Sequence, residues 1–253
     1  MSRPNSYNIV ITLLLARYAA DENMARMTSQ TQSSVRDELL HAAVALLDEH
    51  GPDALQTRKV AAAAGTSTMA VYTHFGGMRA LIAEVAEEGL RQFDAALSVP
   101  QTADPVADLL AIGAAYRRYA IERPHMYRLM FGSTSAQGIN APADNVLTLT
   151  IPEIEQRDPS FAHVVRGVRR SIVAGRITAA GSADDDAKVV ATAAQFWALI
   201  HGFVMLELAG FYGDEGTAVG PVLGAMTTNL LVALGDSPEQ LRLSRRKSAR
   251  HAH

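Results

Sequence analysis

Apolar side chains recur every three to four positions through most of this chain, the period of amphipathic helices, and the pattern predicts an all-α fold. From about Ser33 to His50, Leu40, Ala43, Val44 and Leu47 share one face while acids occupy the other. Gly51-Pro52 ends that run, because proline cannot continue the hydrogen-bond ladder and glycine supplies the left-handed step. The stretch Thr57 to Phe75 then divides into two short helices about Gly65. Val60, Ala61 and Ala64 give the first an apolar face, and Ala61 meets its neighbour where only a methyl lets two axes approach. Val71 and Phe75, four apart, form the buried stripe of the second, while Thr57 and Ser67 are each placed to cap a helix. Thr68, Tyr72 and Thr73 are left facing outward, which is the arithmetic of a helix-turn-helix.

The run from Leu39 to Leu81, with AAVALLDEHG, VAAAAGTST and AVYTHFGGMRAL, resembles the DNA-binding domain of TetR-family repressors. Recognition helices of that family typically close in Tyr-x-His-Phe, and Tyr72, Thr73, His74 and Phe75 match. Thr66 stands where the family usually has a small apolar residue, and Met78 where it commonly has a phosphate-touching lysine, which leaves Arg79 as the candidate replacement. The resemblance implies that Thr68, Tyr72 and Thr73 meet bases or phosphate of double-stranded operator DNA, with Ser67, His74, Arg58 and Lys59 positioning the protein on phosphate. The competing reading is an ordinary helix pair whose Tyr72 and Phe75 are core residues.

After Gly76-Gly77 a long helix begins near Met78, with Leu81, Ile82, Val85 and Leu90 as its stripe, joining reader to sensor. Beyond a break from Val99 to Pro105, Leu109, Ile112, Tyr116 and Tyr119 continue the helical period to Pro124. Met126, Tyr127, Met130 and Phe131 follow as a dense methionine and aromatic cluster. Together with Tyr116, Phe161, Trp197 and His201 they are the candidate contacts for a small, largely apolar effector, since methionine adapts to irregular shapes and tyrosine adds a polar end. Plain core packing accounts for the same stripe. Gly132 to Asp158 reads as a loop with at most a short helix, and Phe161 to Ala180 as a helix whose Arg166, Arg169, Arg170 and Arg176 are solvated or paired. Ser182 to Asp186 suggests a metal site less than a helix start, because acids suit the positive end of the helix dipole.

Val189 to Leu206 and Thr217 to Gly235 hold no charged residue. Their length allows a membrane hairpin, but Gln195, His201, Thr227, Thr228, Asn229 and Pro221 dilute the hydropathy. Two such helices from each of two subunits instead make a four-helix dimer interface. Within them FWALIHGFVMLEL resembles the Trp-His-Gly region, here Trp197, His201 and Gly202, of one branch of TetR-like C-terminal domains, and Glu122 to Gly132 resembles the same branch. His201 reads either as a ligand contact or as a satisfied core histidine. The closing RLSRRKSARHAH reads as a disordered basic tail.

Composition narrows these readings. With 253 residues, 48% hydrophobic and 19% charged, the chain can bury a sizeable core. A net charge of -3 argues against nonspecific coating of nucleic acid or anionic membrane. Between Ser33 and Ala80, Arg36, Arg58, Lys59 and Arg79 face Asp37, Glu38, Asp48, Glu49 and Asp53, so DNA affinity rests on a few placed contacts made in duplicate. The absence of cysteine removes disulfides, thiol nucleophiles and cysteine-ligated zinc, and fits a reducing cytoplasm. Residues 1–32 loosely imitate a signal peptide around Ile9 to Ala16, yet Met24 or Met27 each makes a natural start, and a misassigned start codon is the preferred expectation over a flexible arm carrying Arg17 and Arg26. The organisation expected is therefore an N-terminal extension (1–32), a three-helix helix-turn-helix domain (33–80), a helical ligand-binding and dimerisation domain (81–240) and a basic tail (241–253). The function expected is a cytoplasmic, ligand-responsive repressor acting as a homodimer, without cofactor, metal, catalytic residues or membrane. An all-helical enzyme and a membrane-associated hairpin are the alternatives; no nucleophile elbow, phosphate-cradling glycine loop or histidine pair at metal spacing supports the first.

Overall fold

The computed structural model describes residues 35–132, 145–179, 181–213 and 215–251, so the expectations for residues 1–32 lie outside the described residues. The chain divides into two compact units between Val85 and Ala86. The described residues of the first unit open with helix α1, residues 35–50. Its buried side chains are Leu39, Ala43 and Leu47, successive i+4 neighbours, with Leu40 and Val44 half-buried beside them. The apolar face is thus centred on Leu39 rather than on Leu40. Gly51, at φ 76°, closes the helix, and its amide donates to the Leu47 carbonyl at 2.9 Å. Helix α2 spans Thr57–Ala63 and α3 spans Thr68–Phe75.

The turn between α2 and α3 is a Schellman motif, with the Thr66 amide donating to the Ala61 carbonyl at 2.9 Å and the Gly65 amide to the Ala62 carbonyl at 3.1 Å. Gly65 has φ +64°, where a Cβ is strained, so the glycine is what permits the reversal. Two capping expectations need correction. Thr57 is already the first helical residue, preceded by an extended Gln56 that offers no side-chain cap. Ser67 does hold the N-cap position of α3, but its side chain makes no capping bond.

Helix α4, Met78–Leu97, contains the boundary between the units. The second unit continues with α5 (Pro105–Glu122), α6 (Pro124–Phe131), α7 (Ile151–Arg157), α8 (Pro159–Val173) and α9 (Asp186–Leu208). A wide π turn, Val219–Gly224, leads into α10 (Ala225–Ala233), and α11 (Pro238–His251) follows. Carboxylates start the helices: Asp104 accepts from the Ala107 amide, Asp158 from Phe161 and Asp185 from Lys188. The acids of Ser182 to Asp186 are thereby employed, Asp185 as cap and Asp186 paired with Arg169.

One short helix falls where the loop was expected to hold at most that, and the stretch expected to be a disordered tail is helical. Within Gly132 to Asp158, α7 forms because Pro152 sits in its first turn and the Glu153 carboxylate accepts the Thr150 amide at 2.8 Å, while residues 133–144 lie outside the described residues. The basic tail is α11, started by Ser237, whose hydroxyl accepts the Gln240 amide at 3.2 Å. Leu241, Ser244 and Ser248 are its buried face. A polar network fixes it in place. Arg176 donates two bonds to Asp236, at 2.6 and 2.8 Å, and also reaches Asp104 and Ser244, while Lys247 donates to Asp104 at 3.0 Å. Burial alone raises the Asp104 carboxyl, but the bonds from Lys247, the Ala107 amide and Ser244 outweigh it and hold the group below its ordinary value.

Helix α9 is long and apolar enough to cross a membrane by composition, yet one side is committed to the protein interior through Val190, Ala193, Phe196, Ile200, Phe203 and Val204. It also buries Glu207, which accepts two bonds from Arg117 at 2.7 and 2.8 Å.

Removing Asp236 leaves Arg176 with its longer contacts to Asp104 and Ser244 in place of a bidentate carboxylate. Asp236→Ala, which strips Arg176 of its bidentate partner, is expected to lower stability by about 3 kcal/mol in urea unfolding; a loss below about 1 kcal/mol contradicts the structural role of this network.

Candidate functional site

The first candidate surface is the outer face of α3. Val71 and Phe75 are buried, and Arg36 lies 5.0 Å from the centroid of the Phe75 ring while also pairing with Glu84. The helix is therefore held from below by α1 and the start of α4. Above it, Thr68, Met69, Tyr72 and Thr73 are exposed, with Met69 at 68% and Tyr72 at 56%. Thr73 donates its hydroxyl to the Met69 carbonyl at 3.0 Å, which leaves its methyl and oxygen lone pair on the outer face. Ser67, Arg58, Lys59 and Arg79 are exposed around the same unit and His74 is half-buried. Seven of the eight candidate DNA contacts are thus exposed, His74 being the exception. Met69 is an addition that sequence reasoning missed, although its position one residue into a helix with a polar outer face is readable.

The second candidate region lies inside the other unit. The eight residues expected to touch an effector are brought together only in part. Phe93 of α4 meets Tyr116, Tyr127, Phe131 and Trp197 with ring centroids 4.9 to 6.5 Å apart, and Phe161 packs on Trp197 at 5.5 Å. Met126 and Met130 are buried beneath α4, where Gly89 leaves no Cβ in their way. Most of these side chains fill one another's space rather than surround an opening.

At the polar end of this cluster three atoms form a triangle. Tyr116 and Tyr127 hydroxyls are 2.8 Å apart, and they lie 3.0 and 2.8 Å from Nδ1 of His201. The arrangement is satisfied when Tyr116 donates to Tyr127 and Tyr127 donates to Nδ1, which requires a neutral imidazole protonated on Nε2. Burial depresses the His201 pKa and pushes both tyrosine hydroxyls above their ordinary range, consistent with three neutral groups.

Beside the cluster is an open-mouthed cavity of about 470 Å³ bounded by α5, α9, the π turn, α10 and α11. Leu109, Ile112, Phe196, Leu199, Ile200 and Leu223 make its apolar wall, and Arg117, Thr227, Arg245 and Ser248 its polar points. Of the eight sequence candidates, Tyr116 alone borders it. The volume falls within the range of small-molecule sites. Arg245 and Ser248 were missed because the segment carrying them read as a tail. The Ser237-Pro238-Glu239 start followed by Leu241, Ser244 and Ser248 at helical spacing is the signal that identifies it.

Comparisons with known proteins bear on both regions. Residues 39–85 match the family model described as bacterial regulatory proteins, tetR family, and residues 109–230 match the tetracyclin repressor-like C-terminal domain. An uncharacterised HTH-type transcriptional regulator of Mycobacterium tuberculosis is 24% identical over 186 residues, 72% of this chain and 74% of that protein. An HTH-type transcriptional repressor of Streptomyces coelicolor is 26% identical over 191 residues, 76% of this chain and 91% of the relative. A solved structure of a protein of unknown function from Rhodococcus is similar with a TM-score of 0.59 and 26% identity, covering 80% of this chain and 96% of that one.

The neutral state of His201 has a measurable consequence. The unfolded chain protonates this histidine near pH 6.5 while the folded protein resists doing so, so stability falls as pH drops below about 6.5. His201→Gln is expected to flatten the fall of melting temperature between about pH 7 and 5; parallel curves for the two proteins contradict the assignment.

Proposed function

Because this chain belongs to the TetR family of bacterial regulatory proteins, we propose that it is a repressor that grips a pseudo-palindromic operator as a homodimer and releases it on binding a small, largely apolar effector. The observation that carries the DNA half is the contrast across α3, with Val71 and Phe75 buried beneath an exposed row of Thr68, Met69, Tyr72 and Thr73. A helix held by its apolar side and offering hydroxyl and methyl groups on the other suits the major groove, where Tyr72 and the threonines reach base edges or phosphate and Met69 meets thymine methyl groups. Arg58, Lys59, Ser67, His74 and Arg79 position the protein on phosphate. The name given to the Streptomyces relative supports repression over activation.

Dimerisation draws support from the outward face of α9, where Ala191, Gln195, Ala198, Gly202 and Leu206 are exposed at helical spacing, and from exposed Met226 and Val232 on α10. Small side chains let helices approach closely, and burial against a second copy removes apolar surface from water without a bilayer. Two recognition helices about 34 to 36 Å apart then meet successive major grooves. An effector that binds better to a state with another spacing shifts the population toward free protein. The effector lies against Tyr116 in the cavity, with the cluster of Met126, Tyr127, Met130, Phe131, Phe161, Trp197 and His201 as the packed wall behind it. The action is binding alone, without turnover or cofactor, in the cytoplasm.

Tyr72→Ala is expected to weaken operator binding by about tenfold or more while leaving the melting temperature of the dimer unchanged. Unchanged affinity in a gel-shift titration removes Tyr72 from the interface.

A further inference from the structure

The polar points of the cavity are not equivalent. Arg117 is neutralised by its two bonds to Glu207, the Thr227 hydroxyl donates to the Leu223 carbonyl at 2.8 Å, and Tyr116 is engaged with Tyr127 and His201. Two groups are left, both on α11. Arg245 bonds through one terminal nitrogen to the Gly224 carbonyl and the Thr228 hydroxyl, and to no carboxylate among the described residues. Ser248 borders the cavity at 9% exposure and makes no hydrogen bond among the described residues. The two are three apart on one helix, so they present a cation and a hydroxyl side by side on the wall of a mainly apolar groove.

We propose that this groove takes an amphipathic monocarboxylate, its hydrocarbon body against Leu199, Leu223 and Ile112 and its anionic head on Arg245 and Ser248. The proposal rests on the effector-binding reading above and names the class of molecule. The charge count selects the head group: among the described residues the cavity offers one positive charge without a carboxylate partner, which suits a single negative charge and leaves a phosphate dianion under-matched. The remaining guanidinium N–H groups of Arg245 supply charge-assisted bonds, and the Ser248 hydroxyl gains the partner it lacks. The π turn, which contains Pro221, opens this end, and its Gly220 and Gly224 add no side chain to the groove.

The test is calorimetric titration of the full-length protein with decanoate, 1-decanol and decylamine, all below their aggregation concentrations. Decanoate is expected to bind at least about tenfold more tightly than 1-decanol, and decylamine more weakly than either. Arg245→Gln, at an exposed position, abolishes the margin of decanoate over decanol while leaving decanol affinity unaltered. Gly113→Leu, placed where a Cβ meets nothing within 4 Å, fills the groove and removes both ligands. Equal affinity for acid and alcohol, a margin that survives Arg245→Gln, or no binding by any of the three overturns the proposal; a groove covered by a second copy gives the last result. Operator release is followed in parallel. Decanoate that binds through Arg245 without releasing DNA upholds the site and contradicts the effector-responsive reading, whereas release that ignores Arg245→Gln contradicts the site alone.

Discussion

Phe93 has no exposed surface, and five aromatic rings from three other helices converge on it: Tyr116 and Tyr119 of α5, Tyr127 and Phe131 of α6, and Trp197 of α9. One turn earlier on α4, Gly89 admits Met126 so closely that a Cβ there would lie 2.5 Å from the methionine sulfur. Its carbonyl also accepts the Tyr119 hydroxyl at 3.0 Å. The distal half of α4 is thus locked to the core of the second unit by shape and by a hydrogen bond. The same helix is joined to α3 by a two-residue link, Gly76-Gly77. Tyr116 touches both Phe93 and the cavity, so a ligand that displaces the α5 wall presses on the ring against which α4 is packed.

The polar interior explains why α11 belongs to the body of the protein. Asp104 caps α5 and at the same time receives Arg176, Ser244 and Lys247, so one carboxylate serves a helix start and three side chains. Asp236, just before α11, takes the rest of Arg176. Of the bases that make this segment look like a solvated tail, Lys247 is spent on Asp104 and Arg245 on the Gly224 carbonyl and the Thr228 hydroxyl, while Arg242 and Arg246 are exposed. The same docking brings Arg245 and Ser248 to the edge of the cavity.

Local chemistry was legible in the sequence where it decides the conformation by itself. Gly65 must be left-handed between two short helices, and Val71 and Phe75 are an apolar pair four apart on α3, so the turn and buried face follow from a few residues. Long-range packing was less legible. The stripe on α4 continues through Gly89, Phe93 and Leu97 at i+4 steps, and stopping it at Leu90 hid the hub of the core. A methionine and aromatic run has the same spacing whether it lines a cavity or fills one, and here it fills one at every candidate except Tyr116. The cavity wall draws on α5, α9, α10 and α11, whose adjacency is set by ion pairs such as Arg176 with Asp236, separated by 60 positions in the chain.

The most direct test of the central claim is selection of random double-stranded DNA on the purified protein, followed by titration of the winning sequence over a range of salt. Recovery of a pseudo-palindrome whose half-sites lie about 10 base pairs or a multiple apart, with affinity falling steeply as salt rises, is the predicted result. Absence of any enriched sequence at low salt contradicts it, and leaves α3 as a packing element whose exposed face serves no operator.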